Sequence, residues 1–191
     1  VPWTYRQNVY LALNKPAGYE CSQKPTYHPS VYTLLPRPLV TRGVQAVGRL
    51  DEDTTGLLLL SDDGQFIHTY TAPKKKIAKV YDVRVKHALD APQIDALLAG
   101  VELNDEPAPI AAAACEVLAE RLLRLTVTEG KYHLVKRMVA AAGNRVEGLA
   151  RVAIGGLTLP ADLAAGQWLW LEAADLERLR APAAAVVSTA R

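Results

Sequence analysis

Apolar positions recur along this chain in two rhythms, and the places where the rhythm changes mark the expected elements. Val9 to Leu13 is a compact apolar run, closed by Asn14-Lys15-Pro16-Ala17-Gly18-Tyr19, so a strand ends there with Lys15 at its tip. A polar, proline-containing loop from Cys21 to Pro29 leads to a short helical piece around Ser30 to Leu35 and a link, Pro36-Arg37-Pro38. Val44 to Val47 reads as a short strand, and Leu57 to Leu60 as a strand apolar at every position, hence buried on both faces. Phe66, Ile67 and Tyr70 fall at helical spacing within Gln65 to Thr71, ahead of Pro73. From Ile77 to Val85 apolar and polar side chains alternate, the mark of a strand with one wet face. Ala91 to Leu98 is helical and closed by Gly100, and Ala111 to Leu118 and Leu122 to Thr128 are strands turning at Ala119-Glu120-Arg121. Lys131 to Ala142 has the strongest helical pattern: Leu134 pairs with Met138 and Val135 with Val139 at i, i+4, and Gly143-Asn144 supplies a left-handed cap. Val146 to Ile154 and Gln167 to Leu171 are further strands, with Gly155-Gly156 as a turn, and Ala173 to Arg180 is a last helix. Residues 1–180 are read as one domain, and 181–191 as a low-complexity tail that need not be ordered.

Between the two strands at 44–47 and 57–60 lies Gly48-Arg49-Leu50-Asp51-Glu52-Asp53-Thr54-Thr55-Gly56, an acidic, threonine-rich loop feeding directly into the most apolar segment. A doubly buried strand is a rigid mount, so Asp51 stands at the rim of a core. With Arg49 beside it, Asp51 can remain a carboxylate nucleophile at neutral pH. Taken locally, an ordinary turn in which Asp51 and Asp53 cap backbone groups and Arg49 is solvated accounts for the stretch better. His133, Lys136 and Arg137 form a basic face on the helix after Gly130, and Lys74-Lys75-Lys76 a basic run before a strand; each by itself is more often a solvated surface than a phosphate site.

Composition narrows the class. Half of the 191 residues are hydrophobic and 22% are charged, which suits a folded core and excludes a disordered chain. No apolar run approaches a membrane span, and the first residues have neither the charged lead nor the apolar centre of a signal peptide, so a cytoplasmic protein is expected. Val1 in place of Met hints at something removed upstream. Cys21 and Cys115 lie far apart with no ligand-spaced partner, which suggests packing rather than a disulfide or zinc. A net charge of +2 is too mild to prove a nucleic-acid partner, so the clustering of the cations matters more than their sum.

Four separated stretches share one known pattern. Leu13-Asn14-Lys15-Pro16-Ala17-Gly18-Tyr19, the Gly48 to Leu57 segment, Lys79-Val80-Tyr81, and Glu129-Gly130-Lys131-Tyr132-His133-Leu134-Val135-Lys136-Arg137-Met138 occur in the order of the bacterial ribosomal-RNA pseudouridine synthases of the RsuA/RluB/RluE/RluF family, and Gly155-Gly156-Leu157-Thr158-Leu159 continues as in its RsuA branch, to which the chain is most similar. The resemblance departs in two places. Members commonly carry Gln at the position of Leu134, and most begin with a small S4-type RNA-binding domain that does not precede Val9 here.

That resemblance implies an α+β (mixed α/β) fold, a bent, mostly antiparallel sheet with flanking helices and a central cleft. It implies isomerisation of a ribosomal-RNA uridine, with Asp51 as nucleophile, Lys136 pairing with it to keep it ionised, and Tyr81 stacking on uracil or moving a proton. Arg49 would fill the gap left by the extruded base, and Lys15, Lys74, Lys75, Lys76, Arg137 and Arg151 would meet phosphates. Neither metal nor organic cofactor is called for. Small-subunit RNA in an assembly intermediate, acted on by a monomer, is the expected substrate, with large-subunit RNA as the alternative. A non-catalytic RNA-binding module is a competing class, as is a glycoside hydrolase using Asp51 and Asp53, although carboxylates two residues apart are poorly placed to face each other across a sugar.

Overall fold

The computed structural model describes residues 6–131 and 133–183. In chain order the elements are β1 (Tyr10–Lys15), a 3-10 turn (Val31–Leu34), α1 (Arg37–Thr41), β2 (Gln45–Ala46), β3 (Thr55–Ser61), α2 (Gly64–Thr71), a second 3-10 turn (Pro73–Lys75), β4 (Lys79–Val85), α3 (Ala91–Ala99), β5 (Ala114–Ala119), β6 (Leu122–Val127), α4 (Leu134–Ala141), β7 (Val146–Ile154), β8 (Leu157–Thr158), β9 (Trp168–Trp170) and α5 (Ala173–Arg180). The strands form one sheet in the order β5-β6-β4-β7-β3-β1-β9, with β2 on β3 and β8 on β7. Every pairing is antiparallel except β3 with β7. The mixed α/β, mostly antiparallel architecture is the expected one.

β3 is the hub. Leu58 and Leu60 face one core with Leu11, Leu13, Val31, Leu39 and Val44, while Leu57 and Leu59 face another with Ile154, Leu157, Leu171 and Leu179. All four leucines are fully buried, each stabilising the fold by roughly 1.5–3 kcal/mol. A third core lies under β4, β6, α3 and α4, where Leu134, Val135, Met138 and Val139 put the i, i+4 face of α4 against Val83, Leu123 and Leu125.

The halves of the sheet meet at a narrow seam, because β3 pairs with β7 only through Thr55 with Ala150 and Gly56 with Arg151. Gly56 has φ of 105°, and a Cβ there would lie 2.1 Å from the Arg151 carbonyl oxygen. Only glycine satisfies both conditions. Gly56→Ala is therefore expected to cost about 4 kcal/mol or more, or to prevent folding. Thermal unfolding and soluble yield check this, and an unchanged midpoint would remove the seam's steric account. Beyond these two pairs the strands diverge, and a cleft opens above them.

Two segments differ from the periodicity. The link at Pro36-Arg37-Pro38 is the start of α1, since prolines are tolerated in a first helical turn, where the missing N–H would have had no partner. The helix expected from Lys131 begins at Leu134, because His133 adopts left-handed backbone angles, φ 47° and ψ 35°. Most of the tail expected at 181–191 lies outside the described residues.

Candidate active site

The loop between β2 and β3 is held from both ends and from below. Leu50 is buried in the β1/β3 core and Thr54 is 2% exposed, so Asp51 between them stands at the rim with a third of its side chain exposed. Thr54 N–H donates to the Asp51 carbonyl at 3.0 Å, and Gly18 N–H to the Glu52 carbonyl at 2.8 Å.

Lys15 does not reach a phosphate. It is fully buried, and its ammonium donates to the carbonyls of Pro16 (3.0 Å), Glu52 (3.0 Å) and Thr54 (2.8 Å). This corrects the expectation from sequence: a lysine at a strand tip can turn inward when the adjacent loop presents carbonyls that need a donor. Burial lowers its pKa. Lys15→Met would remove a donor from three carbonyls, of which Glu52 keeps the Gly18 N–H, and is expected to cost about 3 kcal/mol and to loosen the Asp51 loop. Denaturant unfolding measures the first effect and turnover the second; a variant matching the parent in both would show that the pin is dispensable.

A cavity of about 160 Å³ lies between this loop, β4, β7 and the start of α4. Asp51, Lys136, His133, Tyr81, Arg49, Arg151 and Lys79 all line it. Strand alternation puts Lys79 and Tyr81 on the same face of β4, and a one-residue slip against β7 makes Tyr81 and Arg151 cross-strand partners. Four distant stretches thus converge on one hollow.

The contacts around Asp51 differ in detail from a simple Asp51–Lys136 pair. Lys136 Nζ lies 3.0 and 3.1 Å from the two oxygens of Asp53 and 3.5 Å from Asp51 Oδ2. His133 Nε2 is nearer to Asp51, at 3.1 Å from Oδ2. Lys136 therefore bridges both carboxylates; these meet at one ammonium rather than flanking a sugar-sized gap, which removes the structural basis for a glycosidase pair. Burial lowers the Lys136 pKa, but the hydrogen bonds to Asp53 and the charges of Asp53 and Asp51 outweigh it and raise the value above the ordinary lysine range. The sign is that of a cation gaining partners: its stabilising contribution is complete through neutral pH and is lost only as pH rises through the raised pKa.

The other cations divide. Arg49 is exposed at the cavity mouth, and Lys74, Lys75 and Lys76 are exposed around the second 3-10 turn, open to solvent as phosphate contacts must be. Arg151 is not at the surface. It is 4% exposed, its Nε donates to the Leu57 carbonyl at 2.9 Å, and Nη2 has no hydrogen-bond partner among the described residues, so it ties the seam and lines the cavity instead. Arg137 lies outside the lining, with Nη2 3.9 Å from Glu106 Oε1.

Two lining residues had no assigned site role from sequence. His133 was only part of a basic helix face, and its reach to Asp51 depends on its left-handed backbone. From sequence Lys79 is only the lysine of the motif that brings Tyr81; it sits inside the cavity, where burial and then the charge of Arg151 lower its pKa. Leu134, in place of the common Gln, is 5% exposed and gives the cavity an apolar wall. No group of three or more His, Cys, Asp or Glu among the described residues is placed to hold a metal ion, and no described helix is long and apolar enough to cross a membrane.

A charged rim over a partly apolar hollow thus lies at the seam of this sheet. The chain belongs to the RNA pseudouridylate synthase family, whose pattern it matches over residues 9–141. It is 42% identical over 173 residues to the ribosomal small subunit pseudouridine synthase A of Yersinia pestis, covering 91% of this chain and 73% of that protein. With the Escherichia coli K12 protein of the same name it shares 44% over 159 residues, 83% of this chain and 68% of the other. The fold superposes on a crystal structure of a pseudouridylate synthase with a TM-score of 0.86 at 39% identity, covering 92% of this chain and 75% of that one.

Proposed function

We propose that this enzyme converts a uridine of small-subunit ribosomal RNA to pseudouridine, with Asp51 as its nucleophile. The observation that carries the chemistry is the placement of the Asp51 carboxylate, held by His133 and Lys136, at the rim of a cavity walled by Tyr81 and Leu134. The reaction breaks the bond from ribose C1′ to uracil N1, turns the base, and joins C1′ to C5. The proton lost at C5 is matched by one gained at N1, so the step needs no oxidant or reductant. Asp51 supplies the transient covalent bond, to ribose or to uracil, while a dry, closely fitting cavity keeps the detached base from escaping or reacting with water. Tyr81 presents a ring face for stacking and a phenol for proton movement. Arg49, at the mouth, is suited to occupy the space that the extruded base leaves in its stack.

The choice of small-subunit RNA is supported by the names of the relatives at 42% and 44% identity. With phosphates met by exposed lysines at 74–76, binding should weaken steeply with salt. We read the substrate as an assembly intermediate in the cytoplasm in which the uridine is still unpaired, and the working unit as a monomer. Incubating the protein at low salt with small- and large-subunit RNA separately, then mapping pseudouridine in each, tests this: modification confined to the large-subunit RNA overturns the substrate, and none in either overturns the activity.

A further inference from the structure

A second hollow, of about 420 Å³, opens on the far side of Gly48 and Arg49, and those two residues line both cavities. Its other walls include Ser22, Gln23 and Lys24 from the loop after β1, Tyr32 from the first 3-10 turn, and Gln45 on β2. Lys24 and Arg49 are exposed cations, and the lining holds no carboxylate. Gln23 and Gln45, also exposed, each offer one acceptor and two donors, the groups needed to read the edge of a base. Gly48, with φ of 77°, and Arg49 border both hollows.

The loop that forms this hollow is built rather than loose. The Glu20 carboxylate accepts from the N–H groups of Thr26 (3.3 Å), Tyr27 (2.9 Å) and His28 (2.6 Å), and Glu20 and Ser30 form a β-bridge across its base. His28 lies 3.5 Å from Glu20 and 3.6 Å from Glu52, which sets the loop against the one that carries Asp51.

We propose that this hollow is a second nucleotide subsite, taking the unpaired base next to the target uridine, with Arg49 standing between the two bases. The proposal rests on the RNA-modifying function inferred above. Extruding one base strips its neighbour of a stacking partner, and a polar, cation-rimmed seat beside the cavity offsets that loss. Lys24 meets the phosphate of the seated nucleotide, and the two glutamines meet its base edge.

The test uses single-stranded oligoribonucleotides with one uridine, and matched oligonucleotides in which the 5′ or the 3′ neighbour is abasic. For the parent protein, removing one of the two neighbouring bases should weaken binding about tenfold and raise KM in proportion, with kcat within about twofold. The double variant Gln23→Ala, Gln45→Ala should bind the intact RNA about tenfold more weakly and show no further loss on the abasic one, because both changes remove the same contact. Lys24→Gln should lower the salt dependence of binding by about one ion. If the losses from the variant and from the abasic site multiply, or if neither neighbour matters to the parent, the subsite is overturned. Binding that discriminates the abasic RNA without any pseudouridine formed would instead leave the subsite standing and sink the activity on which it rests.

Discussion

Asp51→Asn is expected to lower pseudouridine formation by a factor on the order of 10⁴ or more while leaving the fold and RNA affinity nearly unchanged. The amide has the shape of the carboxylate but no charge to form the covalent bond. Its side chain is one-third exposed, and its polar contacts include those with His133 at 3.1 Å and Lys136 at 3.5 Å; Lys136 keeps Asp53 as its main partner, so the stability change should stay within about 1 kcal/mol. Single-turnover pseudouridine assays, thermal unfolding and RNA binding measure the three quantities. Turnover within tenfold of the parent would rule out Asp51 as the nucleophile.

Lys136→Met should lower the rate by about 10²–10³-fold, the usual effect of removing one fixed charge from the reacting centre. Loss of the ammonium also removes the bridge between Asp51 and Asp53 and leaves Asp51 with His133. Asp53→Asn separates the two jobs of Lys136. It removes the hydrogen bonds at 3.0 and 3.1 Å but keeps the cation 3.5 Å from Asp51, so most of the activity should survive. An Asp53→Asn variant as impaired as Lys136→Met would mean that Lys136 acts through Asp53, and that the bridge between the carboxylates is the working unit.

The physics of each step reaches different distances along the chain. β3, β7 and α5 could be placed within a residue or two from local pattern, because burial on two faces, alternation and helical spacing are properties of consecutive residues. The same holds for the inward face of α4, whose four apolar residues at i, i+4 are all buried. Asp51, Tyr81 and Lys136 could be singled out because the separated motifs that hold them resemble one family in their order, and the cavity does gather them.

Periodicity names the face a residue occupies, not what lies opposite it. The seam of β3 with β7, two residue pairs long, joins positions about ninety-five apart in sequence and leaves its trace only in Gly56. Lys15 has the composition of a surface lysine, yet it is buried because the carbonyl of Thr54, thirty-nine residues on, is brought to its tip. Arg151 faces inward for a related reason: its guanidinium meets the carbonyl of Leu57 on the neighbouring strand. His133 reaches Asp51 through a left-handed turn that helical periodicity counted as helix. Residue types and spacing along the chain settled the elements, and the likeness of its motifs to one family gave the candidate nucleophile; tertiary packing alone decided which cations face the cavity and which turn inward, because the carbonyls and carboxylates they meet come from segments far along the chain.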